Sequence, residues 1–381
     1  MQPRAARNIS IEALRLIAVA GIAIFHTFQW TFQAVRAGAP EYAALAGFPY
    51  SGLLGFINLL GCWANEVFFI ISGCFLVASA ARAWSDGATW RAQAQRTTQR
   101  LGKVILPTAF YCLAALTWST AVSPIPDVTL HTRYWYTLGL EFIWVYTATV
   151  CMAPLFGLTK IRLTKKVHTA AVVTVGILVF IINGYLAAQS MPNSGEFSWL
   201  QKIMSAITYV VAFLVGGLLR DYTESTGPLK ARAVAKYSLA AVLSIAIGLE
   251  GALSTTGNLT AMATLSYKST SIVSFALAAT SLLFVVTRNS KTSNTRAANA
   301  IVTLSAATLG FYVMQSLTSS LWRPVFNTML ANILINASSP AATCIVTGAA
   351  ISIVFALALL FIDAARSLII RGLKQQITHQ R

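Results

Sequence analysis

An arginine and a histidine eleven residues apart in one apolar run are the residues of this chain best suited to chemistry. Arg15 and His26 lie in Ile11 to His26, where the other ionisable residue is Glu12. A charged side chain in a membrane span costs about 3 kcal/mol on insertion scales, so two such residues on one segment point to a site. Eleven residues at 100° each return to within about 20° of the same helix face, and a rise of 1.5 Å per residue sets them about 16 Å apart. One face then holds a cation near one membrane surface and an imidazole near the other.

Two further apolar stretches carry acids. Glu66 opens Glu66-Val67-Phe68-Phe69-Ile70-Ile71-Ser72-Gly73, and Glu141 lies among Trp135, Tyr136, Trp144 and Tyr146. Counted from their span ends, both fall in the same half of the membrane as His26. His26, Glu66 and Glu141 are therefore the candidate catalytic residues, with His26 as general base and a carboxylate to orient it. At the other end Arg15, Arg100 and Lys103 form a candidate cationic site for a phosphate-bearing ligand. The competing readings are a local Glu12–Arg15 pair and membrane-surface anchoring for Arg100 and Lys103. Gly73 shares a face with Glu66 and would admit a neighbouring helix or a thin ligand, with Ser72 beside it. The plainer role for Ser72 is a bond to its own helix carbonyl.

The elements that must position these residues are transmembrane helices. Of 381 residues 56% are hydrophobic and 10% charged, with a mean hydropathy of +0.66. Soluble domains carry about 25% charge, so the expected fold is all-α, a polytopic membrane helix bundle forming one domain over residues 1–381. Ten stretches are long enough to cross: 11–29, 61–80, 101–121, 134–157, 169–188, 201–219, 237–254, 268–287, 299–321 and 340–363. Residues 42–60 are apolar but broken by Pro49, Gly52 and Gly55, which reads as a re-entrant or interfacial segment. The basic start and the small residues Ala37-Gly38-Ala39 resemble a cleaved signal, but Glu12, Arg15 and His26 argue for a retained segment.

With the N-terminus inside, 22 Lys and Arg fall in inner segments. Five, Arg36, Arg133, Lys202, Lys268 and Arg323, fall outside. This asymmetry puts both termini in the cytoplasm. It also explains the net charge of +17 through the lipid bilayer rather than nucleic acid, for which no basic domain exists. The five cysteines sit in or beside apolar segments without metal spacing, and no metal site is expected. His131, His168 and His379 fall in loops or the tail and look ordinary.

Taken together, Arg15 with ten residues before His26 and the Glu66-to-Gly73 element resemble signatures of the acyltransferase-3 family of integral-membrane acyltransferases. Arg100 to Pro107, Trp135 to Pro154 and Phe213-Leu214-Val215-Gly216-Gly217 are similar to its further elements in the same order. The resemblance implies transfer of an acyl group, often acetyl, from cytoplasmic acyl-CoA to a hydroxyl or amine of a glycan or lipid-linked acceptor at the outer face of a bacterial plasma membrane. It implies His26 as the catalytic residue and Arg15 as a donor-binding one. Two departures mark a divergent member: Gln315 stands where members often carry a His in Gly310-Phe311-Tyr312-Val313-Met314-Gln315, and no Glu-Gln-Phe-Tyr run follows Glu141. The competing reading is a transporter or flippase for a glycan or organic anion, with the same polar residues as a proton relay.

Overall fold

A computed structural model describes residues 8–131, 139–189, 198–266, 270–288 and 295–379. Its elements are all helical: α1 Ile9–Arg36, a 3-10 turn Pro40–Leu45, α2 Tyr50–Ser85, α3 Trp90–Ala121, α4 Glu141–Arg162, α5 Lys165–Gln189, α6 Ser198–Ser225, α7 Pro228–Thr255, α8 Leu259–Leu265, α9 Ile272–Val286, α10 Arg296–Ser305, α11 Thr308–Leu317, α12 Ser319–Asn336 and α13 Pro340–His379.

Eight of these helices are long and apolar enough to span a membrane. The bent pair α10–α11, angled by 46°, makes a ninth if counted as one span. Each of the ten expected stretches recurs as helix over most of its described residues, but two depart from a straight full-length span. The 268–287 stretch becomes α9, whose 15 residues rise about 22 Å against roughly 30 Å of hydrocarbon. The 299–321 stretch breaks at Ala306-Ala307 into α10 and α11. The helix α12 has no counterpart in the hydropathy reading, because Arg323 and Pro324 interrupt its apolar pattern.

Residues 50–60 do not form a re-entrant loop. They are the first turns of α2, which runs unbroken to Ser85. The glycines that read as breakers are close-approach points: a Cβ at Gly55 would overlap the Glu250 carboxylate on α7, and one at Gly52 would press on Ser254. α2 is the central helix, with 67% of its apolar window buried against 44% or less in the other spans. It packs on α1, α4, α6, α7 and α9. Its crossing with α6 is set by Gly73 and Gly216, where a Cβ would overlap the backbone of Phe213 and Ile70 respectively.

Helix ends follow local chemistry. The Asn8 side chain accepts from Ser10 N at 3.0 Å to start α1, and Thr89 accepts from Ala92 N to start α3. Because the helices alternate in direction, the described Lys and Arg divide between two ends. The end with the α1 N-terminus and α2 C-terminus is crowded with them, and the opposite end has three.

Candidate functional site

The opposite end contains a cavity of about 880 Å³. On α1 its wall is Phe25, His26, Gln29 and Arg36, and on α2 Asn58, Gly61 and Asn65, which recur at intervals of three and four residues. Glu141 and Phe142 of α4, Lys202 and Tyr209 of α6, Tyr312 of α11 and Arg323 of α12 close it. A second depression of about 780 Å³ beside α12, lined by Pro324, Val325, Met329 and Ile333 among others, has no ionisable side chain and is unsuited to proton transfer.

His26 is half-buried in the cavity wall. Arg323 Nη2 stands 3.3 Å from His26 Nδ1, and Gln29, one turn along α1, is within hydrogen-bond reach of the ring. A guanidinium only donates, so in this contact Nδ1 is the acceptor and a neutral ring carries its proton on Nε2. The guanidinium lies over the Trp322 ring at 5.5 Å, and Trp322 is itself fixed by donation from Nε1 to Gln315 O at 3.0 Å.

Glu66 does not reach this site. The chain brings it to the expected depth, but Asn65 takes the cavity-facing position and Glu66, 100° further round α2, is fully buried toward Ser274 of α9. Ser274 Oγ donates to Ser271 O, and neither Glu66 oxygen makes a hydrogen bond. Glu141 does line the cavity, at its mouth. Gly139 at φ 62° turns the chain there, so α4 begins at Glu141 and leaves it exposed; Trp135 and Tyr136 lie outside the described residues.

The expected cationic cluster also separates. Arg15 Nη1 pairs with Glu12 Oε2 at 2.9 Å, and the same oxygen accepts from Ser305 Oγ at 2.5 Å. Arg100 donates to Ser79 Oγ at 3.1 Å, and Lys103 is exposed. α3 packs on α4 and α11, whereas α1 packs mainly on α2, α13 and α10, so Arg15 and the Arg100–Lys103 pair stand on helices that are not main neighbours. Nor is the face between Arg15 and His26 open: Val19 and Ile22 on it are each 2% exposed. Gly73 is filled by the Phe213 backbone and leaves no room for a ligand.

A different line of polar groups leads toward the cavity. Arg100 meets Ser79; Ser72, two turns away on the same α2 face, bonds Tyr146 OH at 3.0 Å. Above them an aromatic layer closes the cavity floor. Phe69 stacks on Tyr209 at 4.3 Å and meets Phe142 edge-on at 5.2 Å, while Phe142 lies 4.7 Å from Tyr312.

A family model described as an acyltransferase domain matches residues 8–359. The chain belongs to the acyltransferase-3 family. No curated protein and no solved structure matches it. Membership together with the apolar helices makes this a multi-pass membrane acyltransferase. In this member of the family, sequence reasoning missed Arg323, Asn65, Tyr209, Tyr312 and Lys202 as cavity residues. Arg323 stood out only as an outer cation flanked by Trp322 and Pro324, a signal too short to predict a helix that folds back over the site.

Proposed function

We propose that this acyltransferase moves an acyl group, in the simplest case acetyl, from acyl-CoA at the basic end to a hydroxyl or amine of a glycan or lipid-linked acceptor in the cavity. The basic end then faces the cytoplasm of a bacterial cell and the cavity faces outward, as the charge asymmetry favours. The observation that carries this reading is His26 in the wall of a cavity of about 880 Å³, on a helix that lies within the residues the family model matches.

His26 accepts the acceptor's proton, the acceptor oxygen or nitrogen bonds to the acyl carbon, and the carbon–sulfur bond breaks. The imidazolium then returns its proton to the leaving thiolate, which balances the reaction. Arg100, Lys103 and Ser79 receive the phosphate-bearing donor at the basic end, and Ser72 with Tyr146 extends its path toward the aromatic layer. Arg15 acts on the donor only through its exposed edge, since its charge is already met by Glu12. Glu141 guards the mouth, and Glu66 and Gly73 serve packing. No part of this reading calls on a metal.

Mass spectrometry of surface glycans and lipids from cells with and without the protein tests it. The expected result is one class of molecule lighter by one acyl group when the protein is absent. Unchanged acylation, with loss of the acceptor itself from the surface, would point to transport instead.

A further inference from the structure

Every described Lys and Arg at the cavity end of the bundle lines the cavity: Arg36, Lys202 and Arg323. Arg133 and Lys268 lie outside the described residues. Of the acids described in that half, Glu141 alone joins the lining, exposed at the mouth, while Glu41 and Asp127 and the buried Glu66 and Glu250 stand elsewhere. Cations are scarce at this end, and chance would not gather them in one hollow.

Arg323 adds a second observation. Four half-buried cations of the bundle hold carboxylates, Arg15 with Glu12, Lys160 with Asp221, Arg220 with Glu224 and Arg366 with Asp363, and Arg100 donates to Ser79 instead. Arg323 has no carboxylate within ion-pair distance among the described residues, and its Nε has no hydrogen-bond partner. Its contacts are the His26 lone pair and the face of the Trp322 ring, neither of them an anion. A partly buried guanidinium left on a neutral imidazole is a fork awaiting an anion.

We propose that the acceptor carries a negative charge, a phosphate or a carboxylate, and that Arg323 binds that charge beside His26. The proposal rests on the acyltransferase reading above. Arg36 and Lys202 at the mouth draw the anion in, and Arg323 closes on it within the cavity. The exchange has a catalytic consequence. While Arg323 donates to Nδ1, the base is occupied; a charged acceptor outcompetes the neutral imidazole for the guanidinium. Nδ1 is then free to take the proton of the acceptor hydroxyl, after which the acyl carbon–oxygen bond forms and the carbon–sulfur bond to CoA breaks. A neutral acceptor leaves Arg323 on His26 and is selected against.

The acceptor need not be identified before the test is run. Membranes containing the protein are given radiolabelled acetyl-CoA, and the product absent from His26→Ala membranes is run on an anion exchanger. The expected product is retained; loss of retention after dephosphorylation identifies phosphate, and loss after carbodiimide amidation identifies carboxylate. A product that runs unretained overturns the proposal and leaves the acyltransferase reading intact. R323Q is expected to lower the initial rate more than 50-fold and R323K by less. The R36Q/K202Q double variant should flatten the fall in rate between 0.05 and 0.5 M salt. Unchanged salt dependence in the double variant counts against the proposal.

A binding arm is independent of transfer: glucuronate, glucose 1-phosphate and glucose are titrated at low ionic strength against the purified protein by tryptophan fluorescence. At least one anionic sugar should saturate at a concentration ten-fold or more below glucose, with the difference lost in R323Q of unchanged melting temperature. Equal behaviour of all three, or no saturation, overturns the proposal. Anion binding without any labelled product would keep the charge assignment and remove the acetyl-CoA reading.

Discussion

Arg15 and Arg323 sit at opposite ends of the molecule in opposite electrostatic states. Arg15 is neutralised by Glu12, which Ser305 also holds, so the pair ties α1 to α10. Removing one partner of such a buried contact leaves the other unsatisfied and costs about 1–3 kcal/mol. R15Q and E12Q should therefore each lower the melting temperature, and the double variant should recover part of the loss in a denaturation cycle. A loss that simply adds would show that the pair contributes nothing to stability. Glu66 gives the converse test. Because it faces α9 and not His26, E66Q should keep acyl transfer within about two-fold of the parent, whereas loss of a carboxylate that orients the imidazole would lower it by about 10²-fold or more. At this scale the sequence made His26, as a residue that lines a site, and the Glu12 alternative for Arg15 legible. It did not reveal which α2 side chain meets the imidazole, because a depth estimate carries no azimuth and the neighbouring Asn65 occupies the cavity face.

Helices are where hydropathy was most informative and where it stopped. The ten apolar stretches all recur as helix within the described residues, since backbone groups in hydrocarbon must bond within the segment. The errors lie where glycine or proline has two meanings. Gly52 and Gly55 look like breaks and are contacts with α7, whereas Gly139, before Glu141, is a true turn. Gly73 illustrates the cost of misplacing such a contact. G73A should lower the yield of folded protein and destabilise it by about 1–3 kcal/mol or more, as overpacking does, with G216A behaving alike because the same α2–α6 crossing is wedged apart. Thermal denaturation in detergent reads both. The aromatic layer predicts a functional effect instead: F142A thins the cavity floor, so hydrolysis of acyl-CoA without acceptor should rise several-fold while transfer per thioester consumed falls. Unchanged hydrolysis would mean that this layer does not separate the donor path from the cavity.

Seen whole, the molecule has one crowded basic end and one sparse end whose described cations all line a single cavity. Composition alone could register the first asymmetry through loop counting, but the second needed the fold, because Arg36, Lys202 and Arg323 come from three helices far apart in sequence. The fold also closes the direct α1 route between Arg15 and His26 and offers the Arg100, Ser79, Ser72 and Tyr146 line in its place. The proposed transfer between two ends of one bundle depends on His26 as its proton acceptor. The most direct test uses the purified protein in sealed proteoliposomes loaded with the cellular acceptor fraction and given radiolabelled acetyl-CoA, comparing the parent with His26→Ala of equal melting temperature. Labelled acceptor is expected for the parent, with a loss of about 10²-fold or more for the variant. Full transfer by His26→Ala would contradict it.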